Sequence, residues 1–96
     1  MAVYMYLDAS ARHLTDGDNM DLDLHHGPGN VLAHDYGYWV SLSSDKDYFE
    51  EDKQAWQKEG YSAGFLAVMQ YAFDHGCLWV KFDIDGDEIE GIPLNN

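Results

Sequence analysis

Positive charge is what this sequence has least of. Five Lys and Arg stand against eighteen Asp and Glu in 96 residues, a formal net charge of −13 at pH 7 with a pI near 4.3. Such a surface repels nucleic acid, whose own contacts are dominated by phosphate charge. It repels anionic membrane surfaces as well. Cysteine is nearly absent: Cys77 stands alone, so no internal disulfide can form. Its place between a helix stop and a strand is that of a small buried hydrophobe, not of a reactive thiol. No apolar run approaches the roughly 18 residues of a membrane span. The opening MAVYMYLDAS has no basic n-region and no long apolar h-region, so no signal peptide is expected. A cytoplasmic protein is the reading these absences favour.

Catalytic motifs are missing too. There is no H-E-x-x-H, C-x-x-C, G-x-S-x-G or P-loop. Of the five histidines, His13, His25, His26, His34 and His75, the adjacent pair His25-His26 diverges on either a helix or a strand and is a poor chelate. His75 near a helix C-terminus is explained by the helix dipole, and nothing marks a Cys77–His dyad. No enzyme activity, cofactor or metal is expected.

What is present is enough to fold. The 46% hydrophobic and 15% aromatic content supports one core, hence one compact α+β domain over 1–96. The clearest stretch is 62–93. Phe65, Leu66, Met69, Ala72 and Phe73 recur with helical period. Ser62 is an N-cap, and Gly76 closes the helix in the left-handed conformation. Leu78, Val80, Phe82 and Ile84 then alternate with Trp79, Lys81 and Asp83, which is a strand. Asp85-Gly86 signals a hairpin with 89–94 as its return strand.

Upstream, Val3 to Asp8 predicts a first strand, and Ser10 to Leu14 a connector. Thr15 caps a short helix with Asp16 and Asp18 in its first turn; a strand over 20–24 is the alternative, and helix is preferred. Gly27-Pro28-Gly29 ends that element. Val31 to Leu42 predicts a hairpin bending at Asp35, Tyr36 and Gly37. The segment 43–60 carries only a thin apolar stripe, Phe49 and Trp56 beside Lys53, and is expected to be a surface stretch with one or two helical turns. The sum is a single antiparallel sheet of four to five strands with two or three helices on one face.

The carboxylates are clustered. Asp16, Asp18, Asp21 and Asp23 form one group. Asp45, Asp47, Glu50, Glu51 and Asp52 form a second, and Asp83, Asp85, Asp87, Glu88 and Glu90 a third. Solvated loops are the ordinary explanation, although natural surfaces usually intersperse both signs. A calcium loop fails, because Glu88 stands where the EF-hand needs its turn glycine and Leu94 where it needs a bidentate Glu. The third reading is mimicry of DNA. Carboxylates on alternate strand residues lie about 6.6 Å apart, comparable to successive phosphates, and could occupy the Lys and Arg sites of a DNA-binding groove. The third cluster, on its expected hairpin, is ranked first as the partner-binding face and the second cluster next. Tyr48, Phe49 and Trp56 are open between contact and core roles. Repulsion within the clusters is expected to raise several carboxylate pKa values and to favour pH 5 to 6 over pH 8 for stability.

Ser10-Ala11-Arg12-His13-Leu14-Thr15 with Asp18-Asn19, then 34–40 (HDYGYWV), then 76–86 (GCLWVKFDIDG) and Gly91-Ile92-Pro93 resemble a family of small uncharacterised bacterial proteins found on plasmids, prophages and other mobile elements. The resemblance implies no active site. In size and acidity the chain also resembles the DNA-imitating anti-CRISPR and anti-restriction proteins, an analogy of profile. The expectation is a non-enzymatic inhibitor, monomer or homodimer, that occupies the DNA-binding surface of a CRISPR or restriction complex. The alternative is an acidic adaptor that binds a basic protein without blocking DNA.

Overall fold

The computed structural model describes residues 5–92 and Leu94. Its centre is strand β4 (Trp79–Asp83), fed by helix α3 (Ala63–Asp74). Ser62 caps α3, its hydroxyl accepting from the Phe65 N–H at 3.1 Å, and the chain leaves the helix through Gly76 at φ 76°. Phe65, Val68, Met69 and Ala72 of α3 are fully buried, as are Val80 and Phe82 of β4. The Phe65 and Phe82 rings stack at 5.7 Å between centroids. Burying side chains of this size contributes about 1.5–3 kcal/mol each, which makes this helix–strand layer the seed of the core.

Three further strands complete the sheet: β1 (Tyr6–Ser10), β2 (Val31–His34) and β3 (Gly37–Ser41). The order is β1-β4-β3-β2. The expected hairpin is β2–β3, joined at Asp35 and Tyr36, with Val31 opposite Val40 and His34 opposite Gly37. β3 runs antiparallel to β4, Val40 facing Val80. β1 runs parallel to β4, Tyr6 facing Trp79 and Ser10 facing Asp83. The α+β class, the single four-stranded sheet and the helices on one face agree with expectation, but the sheet is mixed, not wholly antiparallel.

Among the described residues of the expected return strand, 89–92 and Leu94, no strand forms (Pro93 lies outside them), and the reason is topological. Both hydrogen-bonding edges of β4 are taken, one by β1 and one by β3, so no edge is left for a hairpin partner. Instead Asp83 accepts from the Asp85 N–H at 2.8 Å and turns the chain outward. Gly86 then passes so close to β1 that a Cβ there would run into the Ala9 carbonyl. The Asp87 carbonyl accepts from the Ser10 N–H at 2.8 Å. Within the expected first strand, Val3 and Tyr4 lie outside the described residues; the rest starts at Tyr6 and extends through Ser10, followed by a 3-10 turn at Ala11–His13.

The segment 15–24 is helical, α1 (Asp16–Asp23), with Thr15 and Asp18 capping each other's backbone N–H groups at 3.0 Å. The segment 43–60 is a fourteen-residue helix, α2 (Lys46–Glu59). Its Phe49 and Trp56 are wholly buried: Phe49 stacks on Phe73 at 4.3 Å and Trp56 meets Phe65 edge-on at 5.4 Å. The aromatic chain Phe82–Phe65–Trp56 thus ties sheet to α3 to α2. Trp56 Nε1 donates to the Pro28 carbonyl at 3.1 Å, and the Tyr61 hydroxyl donates to the His26 carbonyl at 2.6 Å. These two bonds hold the 25–29 loop against the helices.

Candidate functional site

Helix α2 puts the second acidic cluster on a rigid element. Asp45 is the N-cap, its carboxylate accepting from the N–H groups of Asp47 and Tyr48 at 2.9 and 3.2 Å. Gly60 closes the helix at φ 97°. Because Phe49 and Trp56 fix which face is buried, Asp47, Glu50 and Glu51, three and four residues apart, fall together on the solvent side. All three are exposed. Tyr48 is 64% exposed and sits one helical turn before Glu51 and Asp52. The contact-or-core question divides here: Tyr48 is a surface residue, whereas Phe49 and Trp56 are core.

Asp52 lies toward the protein. Burial, and then the charge of Glu51, push its carboxyl above the usual aspartate range. Lys53 does not neutralise the row, since its Nζ donates to Gln70 Oε1 on α3 at 2.8 Å.

The third cluster is less uniform. Asp83 is buried, 8% exposed, with one oxygen on the Asp85 N–H and the other 3.6 Å from Lys81 Nζ. It holds the turn. Glu88 is exposed but paired with Arg12, Nη1 to Oε1 at 2.5 Å. Asp85, Asp87 and Glu90 are exposed on an irregular segment, not on a strand. The first cluster is divided: Asp16 and Asp23 are exposed, Asp21 is half-buried and Asp18 is buried. Asp21 lies 3.2 Å from His26 Nδ1, and Asp23 accepts from the Tyr38 hydroxyl at 2.6 Å. Burial, that hydrogen bond and the Asp23 charge push the Tyr38 phenol up to about 12.

Cys77 is buried, and burial pushes its thiol up, consistent with its reading as a small hydrophobe. Among the described residues, no three His, Cys, Asp or Glu side chains are grouped so as to hold a metal ion. No helix among them is long and apolar enough to cross a membrane.

A feature that the sequence reading missed is the second face of the sheet. The helices cover the face that carries Ala9, Phe82, Val80, Val40 and Val31. The other face carries Tyr6, Leu32, Trp39, Trp79 and Lys81, and no helix of the described residues lies over it. Alternation of Trp39 and Trp79 against the core valines was the available signal.

Residues 6–96 match the model of a family of unknown function, the DUF5983 C-terminal domain, and the chain belongs to that family. No curated protein and no solved structure matches it significantly.

Proposed function

We propose that this DUF5983 domain is a non-enzymatic inhibitor carried by a mobile element, of the anti-CRISPR or anti-restriction kind. It acts in the host cytoplasm by occupying the DNA-binding surface of a defence complex. The observation that carries this reading is the exposed carboxylate row of α2, Asp47, Glu50 and Glu51 behind the Asp45 cap, on a chain of net charge −13. Side chains three and four residues apart on a helix stand about 5–6 Å apart at Cβ, a spacing comparable to that of successive phosphates. Fixed charges lose less conformational entropy on binding than mobile ones, so α2 ranks ahead of the irregular 85–90 segment as the primary face. Asp85, Asp87 and Glu90 extend the acidic surface as a second patch. Competition tests the proposal: an excess of the protein prevents target DNA from binding a purified CRISPR effector or restriction enzyme. A stable ternary complex of partner, protein and DNA would overturn it.

The adaptor alternative draws on a different observation, the uncovered aromatic face of the sheet.

A further inference from the structure

The two outer strands of the sheet are built differently. At β1 the Ser10 N–H is taken by the Asp87 carbonyl at 2.8 Å, and Asp8 stands exposed on the strand. The β2 edge has no such guard. The Ser41 N–H donates to the Asn30 carbonyl at 2.9 Å, which makes Asn30 and Ser41 a hydrogen-bonded pair of the antiparallel ladder. By alternation, Leu32 and His34 turn their backbone groups to β3, and Val31 and Ala33 turn theirs outward. Among the described residues, nothing bonds to those outward N–H and C=O groups. Natural edges are usually blunted by Lys, Pro or a bulge. Val31–His34 (VLAH) holds neither Lys nor Pro, and its register with β3 is unbroken.

An open backbone row is matched by another extended strand, and the residues of β2 decide whose. A net charge of −13 holds two copies apart over most of their surface. Asp35, however, is the only acid between Asp23 and Asp45, so β2 lies in a nearly neutral part of the chain. The strand is also self-complementary. A two-fold axis through Leu32 sets Val31 of one copy opposite Ala33 of the other, so both residues with outward groups exchange bonds. His34 then faces Asn30, and Asp35 faces Gly29, so no carboxylate meets a carboxylate across the joint. Leu32, 57% exposed, meets its own counterpart. Asp35, and Asp23 bonded to the Tyr38 hydroxyl, remain nearby to repel, a repulsion that salt screens beyond about 8 Å at physiological strength. A basic or acidic foreign strand finds no charged partner within Val31–His34 to select it.

We infer that the β2 edge pairs with the same edge of a second copy, joining two four-stranded sheets into one of eight. With four residues in each strand the joint is short, so the dimer is weak and concentration-dependent. This pairing does not depend on the DNA-mimic reading, and it answers salt in the opposite sense. Self-association strengthens as salt screens the two chains, whereas binding through a DNA-like surface weakens.

Cross-linking and sedimentation test it. Leu32 and its counterpart form a non-hydrogen-bonded pair with Cα atoms about 4.5 Å apart, within reach of a disulfide. Leu32→Cys is therefore expected to oxidise to a covalent dimer. Tyr36→Cys, at an equally exposed position, puts its two thiols more than about 20 Å apart and is expected to stay monomeric. Cys77 is buried and takes no part in either reaction. The unaltered protein, sedimented at up to about 1 mM, is expected to show a monomer–dimer equilibrium that shifts toward dimer as salt is added. Ala33→Pro removes an outward N–H and no bond to β3, and is expected to weaken self-association by about tenfold or more. Ala33→Lys is expected to do the same through an edge charge, without proline's constraint on the strand. Three results overturn the inference. One is a dimer that both Ala33 variants leave intact. Another is cross-linking of the Tyr36→Cys variant as readily as Leu32→Cys, which is random collision. The third is a chain that stays monomeric throughout; an alternating Thr-Val peptide that then shifts the Val31 and Ala33 amide resonances would assign the edge to a foreign strand.

Discussion

The Asp18 carboxylate organises the Ser62 N-cap from forty-four residues away. Its Oδ1 accepts from the Ser62 N–H at 2.8 Å and its Oδ2 from the Ser62 hydroxyl. The same Oδ2 accepts from the Thr15 N–H at 3.0 Å, and Ser62 Oγ in turn accepts from Phe65. One buried side chain therefore caps its own helix and fixes the start of α3. It is a structural residue despite belonging to an acidic cluster.

Asp18→Asn is expected to destabilise the protein by about 2–3 kcal/mol, because an amide N–H₂ must then face a backbone donor and a charge-assisted bond is lost. Ser62→Ala is expected to cost about 1 kcal/mol, as other N-cap removals do. Urea midpoints at constant m-value report both. A neutral Asp18→Asn would show that the network holds nothing.

Gly37→Ala and Gly86→Ala are expected to be among the most damaging single changes. An added Cβ meets the Phe82 carbonyl at the first position and the Ala9 carbonyl at the second, and backbone cannot rotate away as a side chain can. Losses of about 3 kcal/mol or more are expected. Gly60→Ala is the comparison: nothing lies near its Cβ, so only the left-handed φ opposes it, at about 1 kcal/mol. Thermal melts of the three variants give the order.

The two exposed acidic patches are separable. Asp47→Asn with Glu50→Gln and Glu51→Gln is expected to weaken DNA competition more than Asp85→Asn with Asp87→Asn and Glu90→Gln, and to flatten the salt dependence of partner binding. Neither triple removes a cap or a buried group, so both should melt near the wild type. Equal competition by the α2 triple, at an unchanged salt slope, would move the binding face away from α2.

The pH response follows from Asp52 and Tyr38. The Asp52 carboxyl is raised above 3.8 in the folded state, so the folded chain holds that proton more tightly. Its contribution is fully present below 3.8 and is lost as pH rises through the folded value. The stability gain from this group therefore lies on the acid side, in the direction of the expected preference for pH 5 to 6 over pH 8. Asp52→Asn is expected to raise the melting temperature at neutral pH and to lose that advantage as pH falls below 3.8, where Asp52 is protonated in both states. Tyr38 is raised from 10.0 to about 12. Its contribution holds below pH 10 and is lost between 10 and about 12. Tyr38→Phe is expected to shorten that alkaline limb, read from melts with phenolate absorbance as the proton count.

Local signals were legible wherever a short stretch carries both a cap and a period. Ser62 to Gly76, Thr15 with its acidic first turn, and the 31–42 hairpin all formed where the residues put them, because caps and tight turns are satisfied within a few residues. For α2 the expectation of one or two helical turns rests on the thin apolar stripe alone, and the Asp45 and Gly60 caps enter only with the structure. Phe49 and Trp56 make up the difference by size, since each buries far more area than one position in a pattern conveys.

The sequence by itself determined the helix of 62–75, the β2–β3 hairpin, the core identity of Val80 and Phe82, and the net charge, and it left 15–24 open between helix and strand with helix preferred. Only the tertiary structure decided how the strands pair and which carboxylates face water. β1 enters the sheet beside β4 in parallel, and that long-range pairing takes the edge a local hairpin would have used. Nothing within a few residues of Asp85-Gly86 could announce it. The same holds for the acids. Asp18, Asp83 and Asp47 are alike in the sequence, but one is buried under Ser62, one closes a turn and one lies open on α2, because a carboxylate's role is set by the donors that folding brings to it.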